Sequence, residues 1–279
     1  MAIMIDRHEP LADMQSSADH RGIDIQKVGI RRLRYPVVLN TRDDGGTQHT
    51  VADVNMYVSL SRSFKGTHMS RFVEVLNEHR DELDIHDLGV LLKHMKERLE
   101  AEDAYVELHF PYFRQKLAPV TDSPGLVHYD CCVTGAIHPD DNIKITYGAI
   151  VPVTTLCPCS KEISAYGAHN QRSLVTVHWR ASESIWLEEV IDLVESLGSA
   201  QIYSVLKRPD EKFVTEQAYD HPKFVEDVVR DVTKRLREDG RMVWFRVESE
   251  NFESIHTHNA YALIEEEKRP GAGPGMSGD

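Results

Sequence analysis

The segment Cys157-Pro158-Cys159-Ser160-Lys161-Glu162, followed by Tyr166-Gly167-Ala168-His169-Asn170-Gln171-Arg172-Ser173, concentrates more reactive chemistry than any other stretch of the chain. Two thiols one residue apart follow an apolar, β-branched run. Residues i and i+2 of an extended chain point to the same side, so both sulfurs are expected to face one pocket at the end of a strand. A Cys-x-Cys pair with a nearby His is a half-site for a soft divalent metal, or the setting of an activated thiolate. The spacing is not the Cys-x-x-Cys of a zinc knuckle or a redox pair. Pro158 and Ser160-Lys161-Glu162 are poor company for a core, which favours a functional reading of Cys157 and Cys159 over two inert buried thiols. Cys131 and Cys132 lie inside a strand-like run, point to opposite faces and read as core.

A second i, i+2 pair stands in Glu253-Ser254-Ile255-His256-Thr257-His258-Asn259. On a strand His256 and His258 would share one side, as metal binding or proton transfer needs, or would form a plain exposed polar face. Glu250 and Glu253 add carboxylates nearby. The run Lys207-Arg208-Pro209-Asp210-Glu211-Lys212 reads as a charged loop between helices, ordinarily solvated. A Glu211 carboxylate ligand would make a Cys/His/Glu site of mixed hardness, open to zinc, manganese or iron. In Phe64-Lys65-Gly66-Thr67-His68-Met69-Ser70-Arg71-Phe72, basic residues surround a helix start; this is either a phosphate site or simple capping with surface charge.

These groups need a scaffold, and 279 residues are ample for one large domain or two smaller ones. With 41% apolar and 28% charged residues the composition is that of a globular protein. A net charge of -13 argues against nucleic-acid or anionic-membrane partners, while leaving room for an anionic substrate held by a local basic cluster. Four cysteines do not make a disulfide framework, and no apolar run approaches the ~20 residues of a membrane span. Without an apolar stretch behind Asp6-Arg7-His8-Glu9, the expected location is the cytoplasm.

Residues 1–27 read as a partly extended arm, and 265–279 as a disordered tail. Between them one pattern occurs twice. Strands are expected at 31–39 and 48–60 around an Asp43-Asp44-Gly45-Gly46 turn, helices at 69–79 and 87–99, and strands at 104–110 and 126–137. The second half repeats it with strands at 143–156 and 174–179, helices at 185–197 and 223–237, and strands at 242–248 and 256–263. The helix stripes expected to face the core include Phe72, Val73 and Leu76, and later Phe224, Val225, Val228, Val229, Val232 and Leu236. The expected fold is α+β: a duplicated module of two strands, two helices and two strands, spanning 28–140 and 141–264, with antiparallel sheets and helices on one face.

The blocks at 64–72, 152–164 (Pro-Val-Thr-Thr-Leu-Cys-Pro-Cys-Ser-Lys-Glu-Ile-Ser), 166–173, 208–212 and 253–259 together resemble the type IB GTP cyclohydrolases. That resemblance implies the tunnelling fold, whose unit is two strands, two helices and two strands, and a homotetramer with active sites at subunit interfaces. It implies GTP as substrate, 7,8-dihydroneopterin triphosphate and formate as products, and a place at the start of tetrahydrofolate and queuosine synthesis. It assigns Cys157, His169 and Glu211 as protein ligands of one divalent metal (manganese, iron or zinc), with Cys159, His256 and His258 around it as catalytic residues. Glu226 corresponds to the carboxylate that anchors the purine ring, with Glu253 beside it as a substrate-binding residue; patterning alone places Glu226 on a solvated surface. Lys65, His68, Arg71, Lys161 and Arg172 are the candidates to hold the triphosphate, on charge. A nitrile reductase of the same fold would need an NADPH-binding signature, which is not seen here, and a non-catalytic metal- or nucleotide-binding module would show uptake without turnover.

Overall fold

The computed structural model describes residues 13–42, 45–79, 85 and 88–268. The chain forms, in order, β1 (Ile25–Asn40), β2 (Thr47–Leu60), α1 (Met69–Glu78), α2 (Leu88–Arg98), β3 (Ala104–Leu117), β4 (Pro124–Ile137) and β5 (Ile143–Leu156). It continues through α3 (Pro158–Ile163), β6 (Asn170–Ala181), α4 (Leu187–Leu197), β7 (Ala200–Gln201), α5 (Arg208–Asp220), α6 (Val225–Glu238), β8 (Met242–Asn251) and β9 (Ala260–Glu267). All strands join one antiparallel sheet in the order β1-β2-β3-β4-β5-β6-β8-β9, with β7 also pairing β5. The sheet runs unbroken through residue 140, because β4 and β5 pair from Asp130–Ile150 to Ile137–Ile143.

One face of the sheet carries the helices, and the core lies between. Alternate strand positions turn inward with the pleat: Val151 and Val153, Val175 and Val177, Phe245 and Val247 are all buried. Against them α6 lays Val225, Val228, Val229, Val232 and Leu236, a stripe at helical spacing, and α4 lays Leu187, Val190, Ile191 and Val194. In α1 the buried residues are Phe72, Val75 and Leu76, so Val75 takes the place expected for Val73. Cys131 is buried on this side, while Cys132, on alternate pleat, opens to the helix-free face.

Several expectations change. The strand expected at 256–263 begins only at Ala260, leaving His256 and His258 in a loop; the run 253–259 is polar except for Ile255, which is itself exposed, and it does not enter the sheet. The charged 207–212 run is not a loop. It opens α5, with Pro209 in the first turn and the Asp210 carboxylate accepting the Lys207 N–H at 2.8 Å. The tail expected from Glu265 is ordered through Lys268, since Arg246–Glu265, Phe245–Glu266 and Trp244–Glu267 continue the β8–β9 ladder. Asp43 and Asp44 of the expected turn, residues 1–12 of the arm and 269–279 of the tail lie outside the described residues.

Strand register sets which loops share an end. β1 begins beside the end of β2 (Ile25–Leu60), β3 begins beside β2 (Ala104–Val58), and Ile137 and Ile143 lie at that same end. The end of β5, the start of β6, the end of β8 and the start of β9 therefore meet at the opposite end.

Candidate active site

At that second end a cavity of about 300 Å³ is lined by Cys157, His169, Glu226, Glu253, His256 and His258, with Gln171, Lys223, Phe224 and Asn251 among its walls. Four chain segments contribute.

Cys157 is the N-cap of α3, and its sulfur lies 3.5 Å from the Ser160 N–H. The Cys157 N–H donates to the His169 carbonyl at 3.1 Å, and the Ser160 hydroxyl receives the His169 N–H at 3.2 Å. These backbone contacts hold the thiol and the imidazole side by side. The helix that begins at Pro158 overturns the extended geometry expected for the cysteine pair: Cys159 is exposed and absent from the cavity wall. Proline in the first turn suits a helix start, and with helical rather than extended backbone the two sulfurs diverge.

Glu226 stands in the first turn of α6. Asp227 caps that helix by accepting the Phe224 N–H at 2.9 Å, which leaves the Glu226 carboxylate to the cavity. Phe224, expected in the core stripe, is the N-cap and 40% exposed. His169 Nδ1 lies 3.1 Å from Gln171 Oε1 and 3.8 Å from Glu253 Oε2. The rings of His256 and His258 stack, centroids 5.1 Å apart and 21° from parallel. They share a side after all, through a loop rather than a strand. That loop is tied by Asn259 to Glu250 at 2.8 Å and by the Phe252 N–H to the Arg172 carbonyl at 3.0 Å.

The other candidates are not brought here. Glu211 sits in the first turn of α5, whose last turn carries the Tyr219 carbonyl that receives Lys161 Nζ beside α3. At 1.5 Å per residue, Glu211 and Tyr219 are about 12 Å apart along the helix axis. Asp210, wholly buried, pins the Glu211 end to the β3–β4 turn by accepting the Val120 and Thr121 N–H groups at 2.9 Å each. Lys65, His68 and Arg71 follow β2 and so occupy the opposite end of the sheet; His68 contacts Asp13 at 3.1 Å. Lys161 lies over the Tyr219 ring at 4.3 Å, and the Arg172 side chain is exposed; neither lines the cavity.

Sequence reading missed Gln171, Asn251 and Lys223. Its available signal was a change of type at inward positions: Val151 and Val153 give way to Thr155, Val177 and Val175 to Ser173 and Gln171, Phe245 and Val247 to Ser249 and Asn251. The three changes coincide in space only because Thr155 pairs Gln171 and Ser173 pairs Asn251.

A larger cavity of about 500 Å³ on the helix-free face is lined by Arg34, Asp53, His109, Cys132, Thr176 and His178, among others. Burial pushes the Cys132 thiol up to about 11 and pulls His178 down, so both are neutral there. A neutral thiol beside a neutral imidazole is a weak nucleophile, and none of the motif residues reaches this face.

A thiol, three imidazoles and two carboxylates around the smaller cavity form a donor set of the kind that suits a borderline divalent metal. Among the described residues no three His, Cys, Asp or Glu side chains converge tightly enough to hold one alone.

The fold is shared with solved urate oxidases: the Bacillus sp. TB-90 enzyme superimposes with a TM-score of 0.54 at 9% identity, covering 88% of this chain and 100% of that one. Sequence goes further than fold. The family model described as type I GTP cyclohydrolase folE2 matches residues 11–262, and the chain belongs to that family. It is 57% identical to GTP cyclohydrolase FolE2 of Nitrosococcus oceani over 93% of this chain and 96% of that protein. It is 56% identical to the FolE2 of Magnetococcus marinus over 92% and 96% respectively.

Proposed function

We propose that the chain is a GTP cyclohydrolase acting at the Cys157–His169 cavity, converting GTP and water to 7,8-dihydroneopterin triphosphate and formate at the head of folate biosynthesis. The observation that carries this reading is the meeting of Cys157, His169, Glu226, Glu253, His256 and His258, four segments apart in sequence, around one cavity in a member of this family.

The guanine edge offers two adjacent N–H donors, and Glu226 is the carboxylate suited to accept both and so fix the ring in the cavity. Water must add at carbon 8, the ring must open at the carbon 8–nitrogen 9 bond, the resulting formamide must be hydrolysed to release formate, and the opened ribose must rearrange and condense with the freed amine, losing one water, to close the pterin ring. His256 and His258, which line the cavity, would give and take the protons of those steps. Cys157 and His169 would hold the divalent metal, which supplies Lewis-acid activation of water when bound. Three protein ligands would leave an open position; Glu211 is the third ligand in this reading, and the cavity carboxylate beside His169 is Glu253.

A single copy separates Glu211, Lys65, His68 and Arg71 from the cavity, which favours a homotetramer whose sites lie between subunits, neighbouring copies supplying these groups. Arg172 and Lys161, at the same sheet end as the cavity, are nearer candidates for the triphosphate. The first half runs strand-strand-helix-helix-strand-strand, and the second keeps that order around three inserted elements, α3, β7 and α5, which supports a duplicated tunnelling module, as in the type IB enzymes. The product would also serve queuosine synthesis.

The test is direct: incubate metal-stripped protein with GTP, restore manganese, iron or zinc separately, and measure formate and the fluorescent oxidised pterin. Product with one metal supports the reading; none with any metal sinks it.

A further inference from the structure

Behind the cavity wall a row of side chains links His169 to Asn251. His169 Nδ1 meets Gln171 Oε1 at 3.1 Å, Gln171 Nε2 donates to Thr155 Oγ1 at 3.0 Å, Thr155 and Ser173 hydroxyls meet at 2.7 Å, and Ser173 donates to Asn251 Oδ1 at 2.6 Å. Thr155 and Ser173 are fully buried, Asn251 is 3% exposed and Gln171 7%. Two hydroxyls in series pass one proton each, so the row has a single polarity along its whole length. Reversing it would flip both amides and leave His169 accepting at Nδ1. Glu253 opposes that reversal: its carboxylate, 3.8 Å from the same Nδ1, is an acceptor and favours a proton there. The far end has a matching feature. The Asn251 amide nitrogen has no hydrogen-bond partner among the described residues, is not fully enclosed, and belongs to a residue that lines the cavity.

We infer that this row sets the hydrogen-bond character of the cavity at two points: Gln171 is a positioning residue that keeps the His169 proton on Nδ1 and its Nε2 free as an acceptor or ligand, and Asn251 presents its amide N–H to an acceptor atom of the bound purine. The inference rests on the GTP reading for the identity of the ligand at Asn251, and not at all for the His169 end. It explains why inward positions that are Val or Phe farther along β5, β6 and β8 become Thr, Ser, Gln and Asn at this end. Apolar residues would fill the same space but would leave the His169 tautomer to the more distant Glu253 alone, and so more weakly selected.

Two measurements on metal-free protein test it without turnover. Nitrogen-15 histidine correlation spectra, under alkaline conditions that keep imidazoles neutral, report the tautomer of His169, assigned by its absence from His169→Gln. The expected wild-type pattern is protonation at Nδ1, collapsing to a mixture in Gln171→Met and surviving in Gln171→Glu, whose carboxylate still accepts. A wild-type ring protonated at Nε2, or an unchanged pattern in Gln171→Met, overturns the His169 end. GTP binding measured by calorimetry should weaken roughly ten- to hundredfold in Asn251→Asp, which keeps the Ser173 contact and loses the donor. Undiminished GTP binding by Asn251→Asp overturns that end. A wild-type protein that binds no GTP refutes the functional reading instead, and the tautomer result stands apart from it.

Discussion

Lys116 on β3 and Glu195 on α4 form an ion pair inside the protein, Nζ to Oε1 2.7 Å, with 11% and 5% of their side chains exposed. The same carboxylate accepts the Tyr129 hydroxyl at 2.8 Å, and Lys116 also donates to the Ile202 carbonyl at 3.0 Å. Two turns earlier, buried Glu188 accepts from the Tyr112 hydroxyl at 2.5 Å and the Arg42 N–H at 2.8 Å. Helix α4 is thus attached to strands of the preceding half by charge as well as by its apolar stripe.

Removing one partner of a buried pair strands the other, so Glu195→Ala should destabilise the fold by about 3–5 kcal/mol. The triple variant Lys116→Met/Tyr129→Phe/Glu195→Leu, apolar at all three positions, should recover most of that loss. Urea unfolding of the three proteins decides it; equal stability of Glu195→Ala and wild type would contradict the role assigned to the pair.

Asp210 gives stability a defined acid limb. Burial alone would raise its carboxyl, but the Thr121 hydroxyl and the N–H groups of Lys207, Thr121 and Val120 hold it at about 2. A carboxyl depressed on folding stabilises fully above its unfolded pKa of about 4, and that contribution is lost as pH falls toward about 2. The stability difference between wild type and Asp210→Asn should be constant from neutrality to about pH 5 and shrink below about pH 4. A difference that widens on acidification would reverse the sign.

Glu226 is exposed at the cavity wall and, among the described residues, makes no hydrogen bond or ion pair through its side chain. Glu226→Gln should leave the melting temperature within about 1–2 °C of wild type, while kcat/KM for GTP falls about a hundredfold or more, because an amide cannot accept from two donors as a carboxylate does. Loss of folding, or retained kcat/KM, would remove Glu226 from the purine site.

Metal content separates the carboxylates. Chelation should abolish turnover, and Cys157→Ala should lose both bound metal and activity by about two orders of magnitude. Between Glu211→Gln and Glu253→Gln, the variant with reduced metal stoichiometry by elemental analysis identifies the carboxylate ligand. A Cys157→Ala protein with full metal and full turnover would end the ligand assignment while leaving the activity intact.

Patterning in the sequence carried the apolar stripes of α4 and α6 and nearly every strand, since pleat and helix periodicities depend on neighbours a few residues away. It could not carry α3, whose six residues are too few to show a period, nor the start of α5, where a run of charges conceals a capped helix. For the site, Cys157 and His169 stood out because reactive types cluster locally. Glu226 did not: nothing in α6 distinguishes a carboxylate facing solvent from one facing a cavity, and the resemblance alone pointed to it. Gln171 and Asn251 required strand register, which local sequence does not encode.

The polar ends of β5, β6 and β8 bear on engineering this enzyme for heat resistance. Replacing Thr155, Gln171, Ser173 and Asn251 together by apolar residues of similar shape would remove the whole buried row without leaving a partner unmatched within it, a change that costs little and can stabilise. A selection that reads only thermal survival will therefore accept apolar residues at these positions and return a sturdier protein with a slack active site. Libraries aimed at stability should hold Thr155, Gln171, Ser173 and Asn251 constant and draw their gains from the opposite end of the sheet.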